Sequence, residues 1–225
     1  MNVQPVANYI FAVLVTLLSI YPGISVGRSD AAEPPKAHPG QWHERMVIRS
    51  GELDQKNEAA LQVAQNAADE CSRALEKAID TGIKTEKEVF STLYFPRTPL
   101  TSPLTFTTFY DDYTDIVIPP IEDRYLSQNP NLLYVVLLDR NGYVPSHNSI
   151  YAQPPTGDPV TDYHYCRSKR IFNDMVGYTS CKNTSPFLIQ IYYRDTGEKL
   201  VDISVPVRVQ GKHWGALRVG YLIGE

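Results

Sequence analysis

The sequence predicts an α+β protein in which a long helix packs on a five-stranded antiparallel sheet. One observation behind this is a helical period of small apolar residues over 52–80. The other is a set of five short apolar runs after residue 131, separated by turn-forming residues. Hydrophobic residues make up 43% of the 225 residues and charged residues 20%, which is typical of a globular protein rather than a disordered one.

The long helix is predicted over 52–80 because apolar residues recur there at steps of three and four. Gly82 follows the last of them, as glycine commonly does just beyond a helix. The stripe consists mostly of small residues, so it needs a partner surface, either the sheet or a second copy of the helix. Shorter helices are predicted over 85–93, 106–117 and 121–127. The apolar positions of the long helix are Leu53, Ala60, Val63, Ala64, Ala67, Cys71, Leu75, Ala78 and Ile79.

The sheet is predicted to begin with a hairpin. The run over 132–138 consists of β-forming residues and is followed by Asn141-Gly142, the strongest short hairpin signal, so the return strand is expected over 143–147. A loop over 149–160 and a helix over 162–174 then form an excursion from the sheet. Three more strands are expected over 187–194, 199–207 and 213–223, joined by turns at 195–197 and 210–212.

The N-terminal segment has the composition of an export signal. An apolar run lies within 8–21, no charged residue precedes Arg28, and the run is shorter than the ~20 residues of a membrane span. A cleaved signal peptide over 1–27 is therefore predicted, with an uncleaved membrane anchor as the alternative. Either places the rest of the chain in the periplasm or outside the cell. The remaining organisation is predicted as a linker over 28–50, a helical part over 51–130 and a sheet domain over 131–225.

Composition and motifs argue against several classes of function. The net charge is −4, so there is no basic footprint for nucleic acid. The sequence has no nucleophile-elbow, zinc-protease, phosphate-loop or dinucleotide motif, so an enzyme is not predicted. The three cysteines include no Cys-x-x-Cys pair, which excludes covalent attachment of c-type haem. Cys166 and Cys181 are predicted either to form a disulfide or to remain buried thiols.

Five separated segments of the second half resemble one protein family. They are DRNGYVPSHN at 139–148, CRSKRIFND at 166–174, PFLIQ at 186–190, RDTGE at 194–198 and HWGALR at 213–218. In this order they resemble the periplasmic PAS-like, or Cache, sensor domain of bacterial methyl-accepting chemotaxis proteins. The resemblance implies a PAS/Cache-like sheet that binds a small ligand in signal transduction. Such receptors continue into a membrane helix, a HAMP unit and a signalling coiled coil. Because this sequence stops at Glu225, a free-standing module or a receptor fragment is expected.

Strand alternation places a mixed polar face on one side of the sheet and a uniformly apolar face on the other. The mixed face combines polar and aromatic side chains with small residues that leave room, and Trp214 is expected on it. By itself such a face is more often simply solvated. The resemblance implies instead that the excursion folds over it and forms a ligand pocket. The residues predicted to bind ligand from this face are Gln190, Tyr192, Asp202, Ser204 and Arg218.

The excursion and the hairpin supply three more candidates. Arg167 and Arg170 are three residues apart, so on a helix they share a face and can clamp a carboxylate together. Alternatively, Arg170 pairs only with Asp174, four residues further on. His147 ends the predicted hairpin strand and is a candidate ligand contact. The predicted ligand is a small organic solute, anionic or zwitterionic.

Two other functions stand as alternatives. In one, the helix over 52–80 forms a homodimer or docks on a membrane receptor, and the protein is an interaction module. In the other, His147, His164 or Cys166 holds haem or a metal in a redox sensor, although their spacing matches no metal motif. No cofactor is otherwise predicted.

Overall fold

The computed structural model describes residues 47–48, 53–194 and 198–223. The predicted signal peptide over 1–27, almost all of the predicted linker over 28–50, and the turn at 195–197 lie outside the described residues. Within the described part of the chain, no helix is both long enough and apolar enough to cross a membrane.

Helix α1 (Gln55–Asp80) confirms the long helix that the apolar period predicts. Asp54 caps its start, since its carboxylate accepts a hydrogen bond from the Asn57 backbone N–H at 2.8 Å. The exposed side of α1 is polar, so its apolar stripe is used inside the molecule, against the sheet. Neither a homodimer through this helix nor docking on a receptor is supported. The buried residues of α1 are Ala60, Ala64, Ala67, Ala68, Cys71, Leu75 and Ala78.

The sheet contains four long antiparallel strands and one very short strand. The long strands are β4 (Tyr134–Asp139), β5 (Leu188–Tyr193), β6 (Lys199–Val209) and β7 (Lys212–Leu222). These are four of the five predicted strands. The short strand β1 (Val47–Ile48) pairs with β5 at one edge, so the strand order is β1-β5-β6-β7-β4.

The fifth predicted strand, over 143–147, does not form. Side chains occupy its place beside β4. Glu122 accepts a hydrogen bond from the Leu137 backbone N–H, and Asn148 accepts one from the Val135 backbone N–H, each at 2.8 Å. These two backbone N–H groups on the edge of β4 are therefore bonded by side chains from outside the strand. The composition of the strand alone does not reveal such partners.

The turn after β4 forms where it is predicted. Gly142 has a φ of +85°, and a Cβ atom there would collide with the Phe172 carbonyl, so this position requires glycine. The Asp139 carboxylate closes the turn by accepting from the Tyr143 backbone N–H at 3.0 Å. Beyond the turn the chain runs against the excursion, where Tyr143 and Ile171 form an isolated antiparallel bridge.

The shorter elements of the helical part differ in extent from their predictions. α2 (Glu86–Val89) is a single turn. The predicted helix over 106–117 begins only with α3 (Asp111–Val117), because β2 (Phe95–Pro96) and β3 (Phe106–Thr107) pair as a small hairpin. α4 (Pro119–Gln128) begins at a proline two residues before its predicted start, which suits proline because the first turn of a helix has no intrahelical partner for a backbone N–H.

Two α-helices lie between β4 and β5 in place of the one predicted over 162–174, after a 3-10 helix at Ser149–Tyr151. α5 (Pro159–Tyr165) and α6 (Met175–Lys182) are separated by an irregular stretch. Asp174 is the N-cap of α6, where its carboxylate accepts two backbone N–H groups. Arg170 lies before α6 in the irregular stretch, so the helical spacing on which its predicted pairing with Asp174 rests does not form.

One face of the sheet packs on α1 and confirms the predicted apolar core, except that Trp214 also lies in it. A bulge in β7 explains the exception. Val207 pairs with Gly215 and Arg208 pairs with His213, which leaves Trp214 as an extra residue that turns to the other face. Strict alternation, used to assign Trp214 to the mixed face, fails across such an insertion.

The three cysteines are buried free thiols, so Cys166 and Cys181 do not form the disulfide that was one of two predictions. Cys71 is a residue of α1 and lies in the core between this helix and the sheet, whereas Cys181 lies against the opposite face of the sheet. Burial raises the pKa of each thiol, that of Cys181 to about 12. The thiols therefore stay protonated and behave as small apolar side chains.

Candidate functional site

The mixed face of the sheet is buried. Side chains from residues 140–186, here called the cover segment, pack over it, among them Val144 and Cys181, and Gln190, Asp202 and Ser204 are each 0% exposed. This rules out a solvated outer face and agrees with the expectation that the excursion covers the face. Polar groups in such a position need partners, because burying them without hydrogen bonds is costly.

Asp202 is the centre of a hydrogen-bond network. Its Oδ1 accepts from Arg218 Nε at 2.9 Å and from the Tyr134 hydroxyl at 2.6 Å, and its Oδ2 accepts from the Ser180 hydroxyl at 3.3 Å. Burial and the neighbouring charge of Asp202 raise the pKa of Tyr134 well above its usual value, so this hydroxyl remains a donor. Asp202 and Arg218 thus form an ion pair in the interior.

Gln190, Tyr192 and Ser204 extend this network. Gln190 Nε2 donates to the Ser180 hydroxyl at 2.9 Å, and the Tyr192 hydroxyl lies 3.4 Å from that of Tyr134. Within residues 53–194 and 198–223, Gln190 Oε1 and Ser204 Oγ have no hydrogen-bond partner although both atoms are buried. Two such atoms on one face leave hydrogen-bonding capacity for a further polar group.

A glycine allows Tyr134 to reach Asp202. Tyr134 and Gly220 are direct partners across β4 and β7. A Cβ atom at residue 220 would lie 2.3 Å from Cζ of the tyrosine ring. Any other residue at this position would displace the ring and with it the hydrogen bond to Asp202.

Three more buried arginines lie in this region. Arg167 and Arg170 belong to the irregular stretch between α5 and α6, so the prediction that they share a helix face is wrong. Both nevertheless stack on Phe172, at 4.9 and 4.7 Å from the ring centroid. Arg194, just after β5, stacks on Tyr151 at 5.1 Å. Aromatic faces attract guanidinium groups, so these contacts orient the three arginines.

His147 links the arginines to the Asp202 network. Its ring packs edge-on against Tyr134 and Tyr151, with centroid distances of 6.3 and 5.0 Å, and Nδ1 accepts from the Asn148 backbone N–H. Burial lowers the pKa of His147 well below its usual value, and four neighbouring cations lower it further. These cations are Arg167, Arg194, Arg170 and Arg218. The imidazole is therefore neutral and lies within the field of all four guanidinium groups.

The structure brings the predicted site residues to one face, but sequence analysis misses several of their neighbours. Arg194 has a usable signal, since it alternates with Tyr192 along the same strand. Tyr134 has none, because a strand that is apolar throughout does not reveal which residues face the site. Tyr151 and Phe172 lie in the cover segment, where no hydrophobic period in the sequence indicates which way a side chain points.

The contacts of the residues considered for haem or a metal are made with other side chains. The His164 ring is 6.2 Å from that of Tyr165, and the Cys166 thiol is 3.7 Å from the Asp162 carboxylate. Among the described residues, no three His, Cys, Asp or Glu side chains are grouped to hold a metal ion. The haem and redox alternative gains no support from these positions.

Two solved structures similar to this chain come from the Campylobacter jejuni chemoreceptor Tlp3. One is its ligand-binding domain in complex with L-valine, at 14% identity and a TM-score of 0.35. The other is its sensory domain, at 15% identity and a TM-score of 0.33. The chain is similar to a chemoreceptor sensory domain. The match covers 74% of this chain and 60% of the length of each of those chains.

No protein-family model matches the sequence, and no curated protein does.

Proposed function

We propose that this protein is an exported sensor module that binds a small organic solute carrying a carboxylate on the mixed face of its sheet. The observation that supports this is the set of four buried arginines around one neutral histidine. Burying a guanidinium costs free energy, and arginines usually keep their charged ends in water. An interior region with Arg167, Arg170, Arg194 and Arg218 fits a site that receives negative charge.

The guanidinium groups suit a ligand carboxylate by number and by orientation. Each has five N–H donors in a planar fork, so an arginine that already has one partner retains donors for a second. Stacking on Phe172 and Tyr151 fixes the planes of Arg167, Arg170 and Arg194. A carboxylate then meets donors that lose little conformational freedom on binding.

The Asp202 network suits a positively charged group. The Asp202 carboxylate and the Tyr134 hydroxyl lie on this side, and Gln190 Oε1 is an acceptor without a partner among the described residues. An ammonium group has three donors and can bond several acceptors at once. We therefore favour a zwitterion, such as a free amino acid, over a dicarboxylate. A dicarboxylate can bond the arginines but offers no donor to the acceptors of the Asp202 network.

Ligand access requires part of the cover segment to move, because the arginines and Asp202 are buried. Residues 152–160 are exposed throughout, so this stretch can move with the smallest loss of buried contacts. The module is proposed to bind its solute without transforming it.

Thermal unfolding of the purified protein tests this proposal. The panel consists of the common amino acids, succinate and other short carboxylates, with two analogues of L-valine as matched probes. L-valinamide lacks the carboxylate, and isovalerate lacks the ammonium group. A bound ligand at a concentration of about 100 Kd stabilises by ~2.7 kcal/mol, which raises Tm by about 5–10 °C for a protein of this size. We expect the amide of any ligand that binds to have no such effect.

Variants of the site sharpen the test. Arg194→Met is expected to abolish the shift, since it removes one fork of donors. Arg124→Met is the matched control, because Arg124 pairs with Glu70 at the surface and is 46% exposed. If no carboxylate in the panel raises Tm, or if the amide of a bound amino acid binds as well as the acid, the proposal is wrong.

A further inference from the structure

Lys169 lies between the two arginines of the cover segment, and its side chain points to the other side. Its φ is +65°, a left-handed conformation that residues other than Gly, Asn and Asp rarely adopt. Arg167 and Arg170 stack on Phe172, whereas the Lys169 ammonium group reaches α3 in the helical part. One short stretch of backbone therefore contacts both the candidate site and the helical part.

The ammonium group of Lys169 is held by two carboxylates of α3. Its Nζ lies 3.1 Å from Asp111 Oδ1 and 2.5 Å from Asp115 Oδ1, and the side chains of Lys169 and Asp111 are only 10% and 8% exposed. Asp111 is fixed in turn, because it accepts from the Tyr143 hydroxyl at 2.8 Å and from the Thr108 backbone N–H at 3.1 Å. A buried and fully bonded ion pair of this kind is costly to break.

The backbone of Lys169 is held from two directions as well. Its N–H donates to the Val144 carbonyl at 2.7 Å, next to the turn after β4. Its carbonyl accepts from the Phe106 N–H at 2.8 Å, in β3. The Arg170 carbonyl also accepts from the Val144 N–H, at 2.9 Å. The stretch that carries the arginines is thus attached to two elements outside it.

We propose that Lys169 is a positioning residue for the ligand site, and that its ion pairs with Asp111 and Asp115 hold Arg167 and Arg170 in the geometry that a carboxylate needs. This inference rests on the proposed function, which assigns the two arginines to ligand binding. Lys169 itself does not touch the ligand. Its contribution is preorganisation, because arginines on an anchored backbone lose less conformational freedom when a ligand binds.

Hydrogen–deuterium exchange on the full chain tests the anchor in Lys169→Met. We expect amide exchange over 142–144 and 167–172 to become about tenfold faster or more, while α1 and β6 exchange as in the wild type. Calorimetry with L-valine and succinate measures the second effect. The affinity for whichever of these binds the wild type is expected to fall about tenfold.

Two variants separate positioning from general stability. Lys84→Met is the matched control, because Lys84 is also buried and pairs with Asp112 at 2.6 Å within the helical part. It is expected to leave exchange over 167–172 and ligand affinity unchanged. Lys169→Arg keeps the cation and is expected to restore both. If Lys169→Met does not fold, the double variant with Asp111→Asn removes the stranded carboxylate and is expected to show the same faster exchange.

The outcomes distinguish this inference from the proposed function. Unchanged exchange over 167–172, or an equal change in Lys84→Met, overturns the role of Lys169 as an anchor. Faster exchange with an unchanged affinity overturns its role in positioning the arginines. If the wild type binds neither L-valine nor succinate nor any other carboxylate of the panel, the proposed function fails, and the exchange data still decide whether Lys169 anchors the stretch.

Discussion

Replacing Arg218 by Met removes the cation of the buried ion pair with Asp202 and keeps most of the side-chain volume. Asp202, at 0% exposure, then retains the hydrogen bonds from Tyr134 and Ser180. Removing one partner of a buried ion pair costs about 3–5 kcal/mol, and because two donors remain, the expected cost lies at the lower end, ~3 kcal/mol. For a protein of this size, that lowers Tm by about 6–12 °C.

A double-mutant cycle isolates the interaction between Arg218 and Asp202. Asp202→Asn alone leaves the arginine buried beside a neutral group, whereas the double variant has no stranded charge. We expect the double variant to be about 2 kcal/mol more stable than the sum of the single changes predicts, measured by urea unfolding. Arg124→Met, which breaks a surface pair with Glu70, is expected to cost less than about 1 kcal/mol. Additive single changes, within about 0.5 kcal/mol, would refute the ion pair.

Two further changes test the surroundings of the site. Burial raises the pKa of Glu122 well above its usual value. Because its folded pKa exceeds its unfolded pKa, its contribution to stability is complete below the unfolded pKa and is lost as pH rises through the folded pKa. Glu122→Gln keeps an acceptor for the Leu137 N–H and carries no charge. The variant should therefore gain unfolding free energy relative to wild type as pH rises from the ordinary glutamate pKa of 4.5 toward the raised folded pKa, by ~1.4 kcal/mol for each pH unit. Parallel urea-unfolding profiles for the two proteins over this range would contradict the burial of a neutral acid. Gly220→Ala places a Cβ atom 2.3 Å from the Tyr134 ring and is expected to cost about 1–3 kcal/mol. The cost should nearly vanish in a Tyr134→Ala background, and an equal cost in both backgrounds would show that the ring does not lie there.

Sequence patterns predict those helices and strands that are determined by residues close together in the sequence. In α1 the apolar period and the terminal glycine agree on one helix, and the structure confirms it. In β6 strict alternation correctly separates Asp202 and Ser204 from Val201 and Ile203, because that stretch of the strand contains no bulge. The candidate site could be located to a sheet face for this reason.

Features that depend on distant segments are not predictable in this way. Residues 143–147 have a strand-like sequence, but Glu122 and Asn148 occupy the edge where that strand would pair. Arg167 and Arg170 reach the interior from an irregular stretch whose path is set by contacts with the turn after β4 and with β3. Their convergence with Arg194 depends on how the cover segment folds back, for which the sequence contains no periodic signal.

The side chains along the outer edge of β4 also matter for the behaviour of the protein at high concentration. A sheet edge with unpaired backbone groups can recruit a strand from another molecule and begin aggregation. On β4, the N–H groups of Val135 and Leu137 are already bonded to Asn148 and Glu122 of the same chain. A strand from a second molecule can add there only by displacing both side chains, so this side of the sheet is protected against edge-to-edge association.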